Sequence, residues 1–229
     1  MRHSLLEPQL NDIERLLRDY NLLKEREKFP NFSQSKASLF KRLSYYDNWK
    51  KSYQERIFNF CLIDYSLITF EFQEIKKAKE QSISISYRFI DCPLNISSYE
   101  DFLGENELSI DDAGDTFRSD YELALSDSPV KDTFIPVRYD YDLNGYKQGV
   151  HPLSHLHFGY QNEVRIATEH ILQPISFFLF IMRQYYPQCW KDFMTTEIAP
   201  AHCKKIRDSL DKVDKAYLQA KDLWEMILR

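Results

Sequence analysis

The sequence predicts an α+β fold: an antiparallel β-sheet packed against an apolar helix, with amphipathic helices at both termini. Three observations carry this. Apolar residues recur at helical spacing in the first and last stretches. They alternate every second residue in the middle of the chain. One nearly all-apolar run opens on Pro174. The 229 residues suffice for one domain with a sizeable core. Residues 1–229 are therefore read as a single α+β domain, with N-terminal helices over 1–58, a sheet over 60–167 and C-terminal helices over 168–229. An acidic insertion is placed at 93–130.

The elements follow in order. Leu6, Leu10, Ile13, Leu16, Leu17, Tyr20 and Leu23 share one helical face, predicting a helix that ends near Pro30. Residues 33–53 predict a second helix, with Leu39, Leu43, Tyr46 and Tyr53 on one side. The pattern then changes period. YSLITFEF (65–72) and SISISYRFI (82–90) read as strands, and KKAKEQ suits a hairpin connection. Residues 93–130 are polar and acidic. Ser97 and Glu100 suggest a capping box before YEDFL, and FRSDYELAL suggests another short helix. TFIPVRYDYD (133–142) returns to strand character, LNGYKQG is a loop, HLHFGY (155–160) is a short strand and VRIA a further one. Pro174 opens a core helix that stops before Pro187 and lies across the sheet. After Pro200, Ile206, Leu210, Val213, Tyr217, Ala220, Leu223 and Ile227 predict one long final helix. The helices of the two ends are expected to form one layer.

Bulk properties exclude several classes. The net charge of −5 argues against constitutive duplex-DNA binding, while leaving room for a local basic groove. Four widely spaced cysteines with no CxxC pair argue against a zinc ribbon and for reduced thiols in a cytoplasmic protein. Glu7, Asp12 and Glu14 come too early for a signal peptide, and the apolar run at 171–182 is too short to span a bilayer. With no glycine-rich phosphate loop, GxSxG elbow or dinucleotide fingerprint, nucleotide and NAD chemistry lack a signature.

Half of the six histidines fall in GVHPLSHLHFG: His151, His155 and His157. Side chains in a strand repeat every second residue. Arg138, Asp140 and Asp142 therefore share one face of their strand, and His155 and His157 one face of theirs. If the two strands are neighbours, the groups converge, and His151, on the loop before Pro152, can fold in as a third imidazole. Three readings fit. A divalent metal can be held by His151, His155, His157, Asp140 and Asp142 in subsets of three. Metal-free phosphodiester cleavage can use one histidine as base and another as acid, with Arg138 or Arg165 on the phosphate. The network can also simply pin a hairpin. Arg165 to His170 matches the arginine–histidine spacing of the helical HEPN ribonucleases, but here it follows strand-like sequence. His202 and Cys203 read as a helix start, and Lys204, Lys205 and Arg207 as a solvated face.

YRF at 87–89, RYDYD, HPLSHLHFG, Arg165 and the helix ending in YYP together resemble a family of uncharacterised bacterial proteins known as a domain of unknown function, over roughly residues 60–190. More distantly, the chain is similar to small toxins of bacterial toxin–antitoxin pairs. The matching positions are Tyr87, Arg138, Asp140, His151, His155 and His157. Tyr141, Asp142, Leu143 and Asn144 stand where those toxins carry Asn-Ala-Pro-His, and this chain is longer at both ends. The resemblance implies a bacterial cytosolic protein of a mobile or defence locus. Two roles follow as expectations. One is a toxin-like or phage-defence effector, a nuclease acting on RNA through the His/Arg/Asp cluster. The other is a non-catalytic subunit that binds a partner encoded nearby, an antitoxin or an ATPase or nuclease subunit.

Overall fold

A computed structural model describes residues 6–32, 43–77, 80–161 and 164–218. Helix α1 (Leu6–Asp19) buries Leu10, Ile13 and Leu17 on one face. It ends earlier than its apolar spacing predicts. Asn21 takes a left-handed conformation, a backbone state its short side chain tolerates, and stops the helix. The chain then forms strand β1 (Leu23–Arg26), not a helix reaching Pro30. Residues 33–42, the first half of the second predicted helix, lie outside the described residues. Its second half is α2 (Tyr45–Gln54), which Ser44 starts by accepting the Asp47 N–H on its hydroxyl.

Four strands follow in the order β2 (Phe60–Leu62), β3 (Leu67–Lys77), β4 (Glu80–Ile90) and, after residues 91–136, β5 (Val137–Asp142). β3 and β4 pair along their whole length, so Lys76, Lys77, Glu80 and Gln81 prolong the two strands, while residues 78–79 lie outside the described residues. β6 (Ser154–Phe158) and β7 (Arg165–Ala167) complete the sheet. Every strand lies antiparallel beside its sequence neighbour, in the order β1-β2-β3-β4-β5-β6-β7. The fold class is therefore α+β with an antiparallel sheet, as the periodicities predict.

One face of this sheet is apolar. Phe60, Ile68, Phe70, Ile85, Tyr87, Phe89, Val137, Tyr139 and Leu156 all point into the main core. The core helix α6 (Pro174–Tyr185), numbered after the three short helices below, covers them with Phe177, Phe178, Ile181 and Met182, and α1 adds its own stripe. Phe177 meets Phe70 and Tyr87 ring to ring. Pro187 stops α6 and at once starts α7 (Pro187–Thr195), a helix the apolar pattern does not reveal. The final helix α8 (Ala199–Asp208) is much shorter than predicted. Beyond it the backbone turns extended: Val213 N–H donates to the Glu169 carbonyl, and the Asp211 carbonyl accepts from Ile171 N–H. That pairing replaces the expected helix. A single 3₁₀ turn follows at Lys215–Tyr217, and Ala220, Leu223 and Ile227 lie outside the described residues.

Cys92–Phe134 is a separate compact unit. It holds α3 (Tyr99–Glu105), α4 (Ile110–Ala113) and α5 (Arg118–Ser126). The capping box at its start is formed by Ser98 and Asp101, one residue later than predicted. Ser97 instead offers its carbonyl to the Tyr121 hydroxyl. Tyr99, Phe102 and Tyr121 form the unit's aromatic centre. Among the described residues no helix is long and apolar enough to cross a membrane.

Candidate metal centre

Residues facing each other across an antiparallel pair share a face of the sheet. The register therefore lays two polar rows across the face opposite the main core. One row is Thr69, Arg88, Arg138, His157 and Arg165. The next is Glu71, Ser86, Asp140, His155 and Ala167. The clean alternation of β4 and β5 produces this, because their aromatic residues all take the core side.

Asp140, His155 and His157 converge where these two rows run side by side over β5 and β6. Their candidate ligand atoms all lie within 4.8 Å of one another. The Nε2 atoms of His155 and His157 are 2.9 Å apart. His157 Nε2 lies 3.5 Å from Asp140 Oδ2. Asp140 is held from two sides: Ser86 Oγ donates to Oδ1 at 2.9 Å and Arg138 Nε donates to Oδ2 at 2.7 Å. Two atoms bound to one zinc ion in tetrahedral geometry are about 3.3 Å apart, close to the His155–His157 and His157–Asp140 separations. A two-histidine, one-carboxylate set suits zinc, manganese or iron, and leaves coordination positions open.

The electrostatics suit ligands that must be unprotonated. His155 is fully buried. Burial, reinforced by the neighbouring His157, pushes its proton affinity down to about 3, against the opposing pull of Asp140. Its Nδ1 makes no hydrogen bond of ordinary geometry, although the Pro152 carbonyl lies near enough to favour a proton on the ring. A proton on Nδ1 facing that carbonyl leaves Nε2 as a lone pair aimed at the cluster, the tautomer a metal ligand needs.

His151 borders the set. Its ring stands edge-on to His155 with centroids 4.7 Å apart, and its buried Nδ1 makes no hydrogen bond. Burial and the nearby Arg165 lower its proton affinity. The loop carrying it is pinned by reciprocal backbone bonds between Lys147 and His151. At Gly145 a Cβ would stand 2.8 Å from Asp142 Oδ2 and 3.4 Å from His151 Cε1, so glycine lets both side chains lie close against the loop. Asp142 ends β5 and accepts the Asn144 N–H on Oδ1, so it serves the loop and stands outside the converging triad. Tyr217 packs edge-on against Tyr146 of the same loop.

Behind the site, a buried hydrogen-bond chain ties the strands together. Leu172 N–H donates to the Tyr139 hydroxyl, which shares a hydrogen bond with Ser154 Oγ, 2.8 Å away. Ser154 bonds Thr168 Oγ1 at 2.6 Å, and Thr168 donates to the His170 carbonyl. Arg165 lies on β7 across from His157, whereas His170 lies beyond the strand and bridges to Lys212, so the HEPN-like spacing sits on extended backbone. His202 and Cys203 lie on α8. Sequence reasoning singled out neither Ser86, which orients Asp140, nor Arg88. Their signal was the wet face of the alternating SISISYRFI run.

Over residues 16–220 the sequence matches a family described as an uncharacterized conserved protein, DUF2290. No curated protein and no solved structure matches the chain.

Proposed function

The chain belongs to the uncharacterized conserved protein family DUF2290, and from its site we propose that it is a metal-dependent hydrolase of RNA phosphodiester bonds. The convergence of Asp140, His155 and His157 carries this reading. A divalent ion bound there would polarise the phosphoryl group as a Lewis acid. Arg138, tied to Asp140 through Nε, keeps its terminal nitrogens for a pair of phosphate oxygens. Arg165 supplies a second cation across from His157. His151, neutral at neutral pH through its lowered proton affinity, is placed to accept a proton from the attacking water.

The deciding experiment is elemental analysis of the tag-free protein beside its His155→Ala, His157→Ala and Asp140→Asn variants. One equivalent of zinc, manganese or iron is expected in the parent and less than a tenth in folded variants. RNA cleavage should disappear with the metal. A parent that holds no metal, and cleaves nothing when zinc, manganese or iron is added, would sink the proposal. In cells, the resemblance to small toxins makes growth arrest on expression the expected phenotype, relieved by the histidine variants.

A second role, as an interaction subunit, is favoured by one observation. The unit Cys92–Phe134 exposes Ile110, Leu123 and Val130 among its carboxylates. A partner encoded nearby would then be lost from the complex when this unit is removed.

A further inference from the structure

The register places Arg88, Arg138, His157 and Arg165 side by side on four consecutive strands. Neighbouring strands lie about 4.8 Å apart, so the row extends for about 14 Å across the sheet. Arg88 and Arg138 are substantially exposed, with side-chain accessibilities of 37% and 45%. Each is steadied by a carboxylate of the adjacent row: Arg88 by Glu71 at 3.5 Å, Arg138 by Asp140 at 2.7 Å. The Glu71 contact is longer than a strong charge-assisted hydrogen bond, so Arg88 can turn to an anion at small cost.

We infer that this row is a track for the backbone of single-stranded RNA, crossing the strands, and that Arg88 is a phosphate-binding residue on it. The inference rests on the RNA reading above and adds the form of the substrate. The charge pattern argues for one strand over two. The cationic row is a single residue wide, and the row beside it carries Glu71 and Asp140. A duplex would bring two phosphate backbones to a face with one cationic row, and the second would find carboxylates in place of a cationic partner. Arg138 also bonds Asp140, so a phosphate held by Arg138 lies beside the proposed metal ligands.

The test uses the full chain and a fluorescent single-stranded RNA oligonucleotide, with chelator present so that binding is read without cleavage. Affinity is measured by anisotropy over a range of salt, for the parent, Arg88→Gln and Arg88→Lys. Arg88→Gln should weaken binding roughly three- to tenfold and flatten the slope of log K against log salt by about 0.7, the share of one phosphate contact on a single strand. Arg88→Lys should restore the slope. Duplex RNA of the same sequence should bind more weakly. An unchanged slope in a folded Arg88→Gln variant, tighter binding of the duplex, or no binding by the parent would each overturn the track. The two proposals separate cleanly. A parent that cleaves RNA while Arg88→Gln binds normally keeps the hydrolase and loses the track. A parent that binds through Arg88 and cleaves with no metal does the reverse.

Discussion

His155 is fully buried, among the His151 and His157 imidazoles and the Asp140 carboxylate one strand away. Burial and the neighbouring His157 push its pKa down from the ordinary 6.5 to about 3 in the folded chain. Between those values the unfolded chain binds a proton that the folded chain refuses, so this contribution to stability is complete above pH 6.5 and is lost as pH falls towards 3. At about 1.4 kcal/mol per pH unit, discounted for relaxation of the site, the loss should reach on the order of 2–4 kcal/mol. Urea unfolding of the metal-free protein from pH 7 to pH 4 should show it, and the His155→Leu variant should show a flatter profile. An identical pH profile in both would mean that His155 opens to solvent before it titrates. At this scale the triad was legible in the sequence. A strict two-residue period puts His155 with His157, and Arg138 with Asp140, on shared strand faces. Asp142 and His151 were harder to place. The period stops at Asp142, and Gly145 and the Lys147–His151 pairing then set the geometry of the loop.

Elements with strong periodicity were readable and those governed by long-range pairing were not. SISISYRFI and VRYDYD alternate because one face meets α6 and the other carries the polar rows. Strands β1 and β2 are only 4 and 3 residues long, and β1 finds its partner β2 only beyond α2, so no local pattern marks them. The final helix fails for the same reason. Its apolar stripe runs on past Asp208, but the backbone beyond is captured by residues 169–171. Packing between α6 and the sheet should dominate stability. Phe177 is fully buried against Phe70 and Tyr87. Truncation by Phe177→Ala should cost about 3–5 kcal/mol, read as a lower urea midpoint. A loss below about 1 kcal/mol would show that the core closes over the gap.

Over the whole molecule, the net charge of −5 conceals a partition. Residues 92–134 hold eleven of the 35 carboxylates and only two of the 30 cationic side chains, so the remainder of the chain is net cationic. The sheet unit is closed at the point where this segment leaves and returns, since Ile135 N–H donates to Asp91 Oδ2. Replacing residues 92–134 with a short Gly-Ser linker should therefore leave a folded protein that retains the proposed metal. Its affinity for RNA at low salt should rise, because a repelling charge has been removed. Aggregation of that variant, or an unchanged RNA affinity, would count against the partition. The buried chain from Leu172 through Tyr139, Ser154 and Thr168 has a different consequence, in time. The Leu172 amide donates to a phenol on β5, away from any strand ladder. Its hydrogen can exchange with deuterium only when β5 and the segment before α6 part. That one amide is a clock for how often the back wall of the candidate site opens, and an ion bound there should slow it.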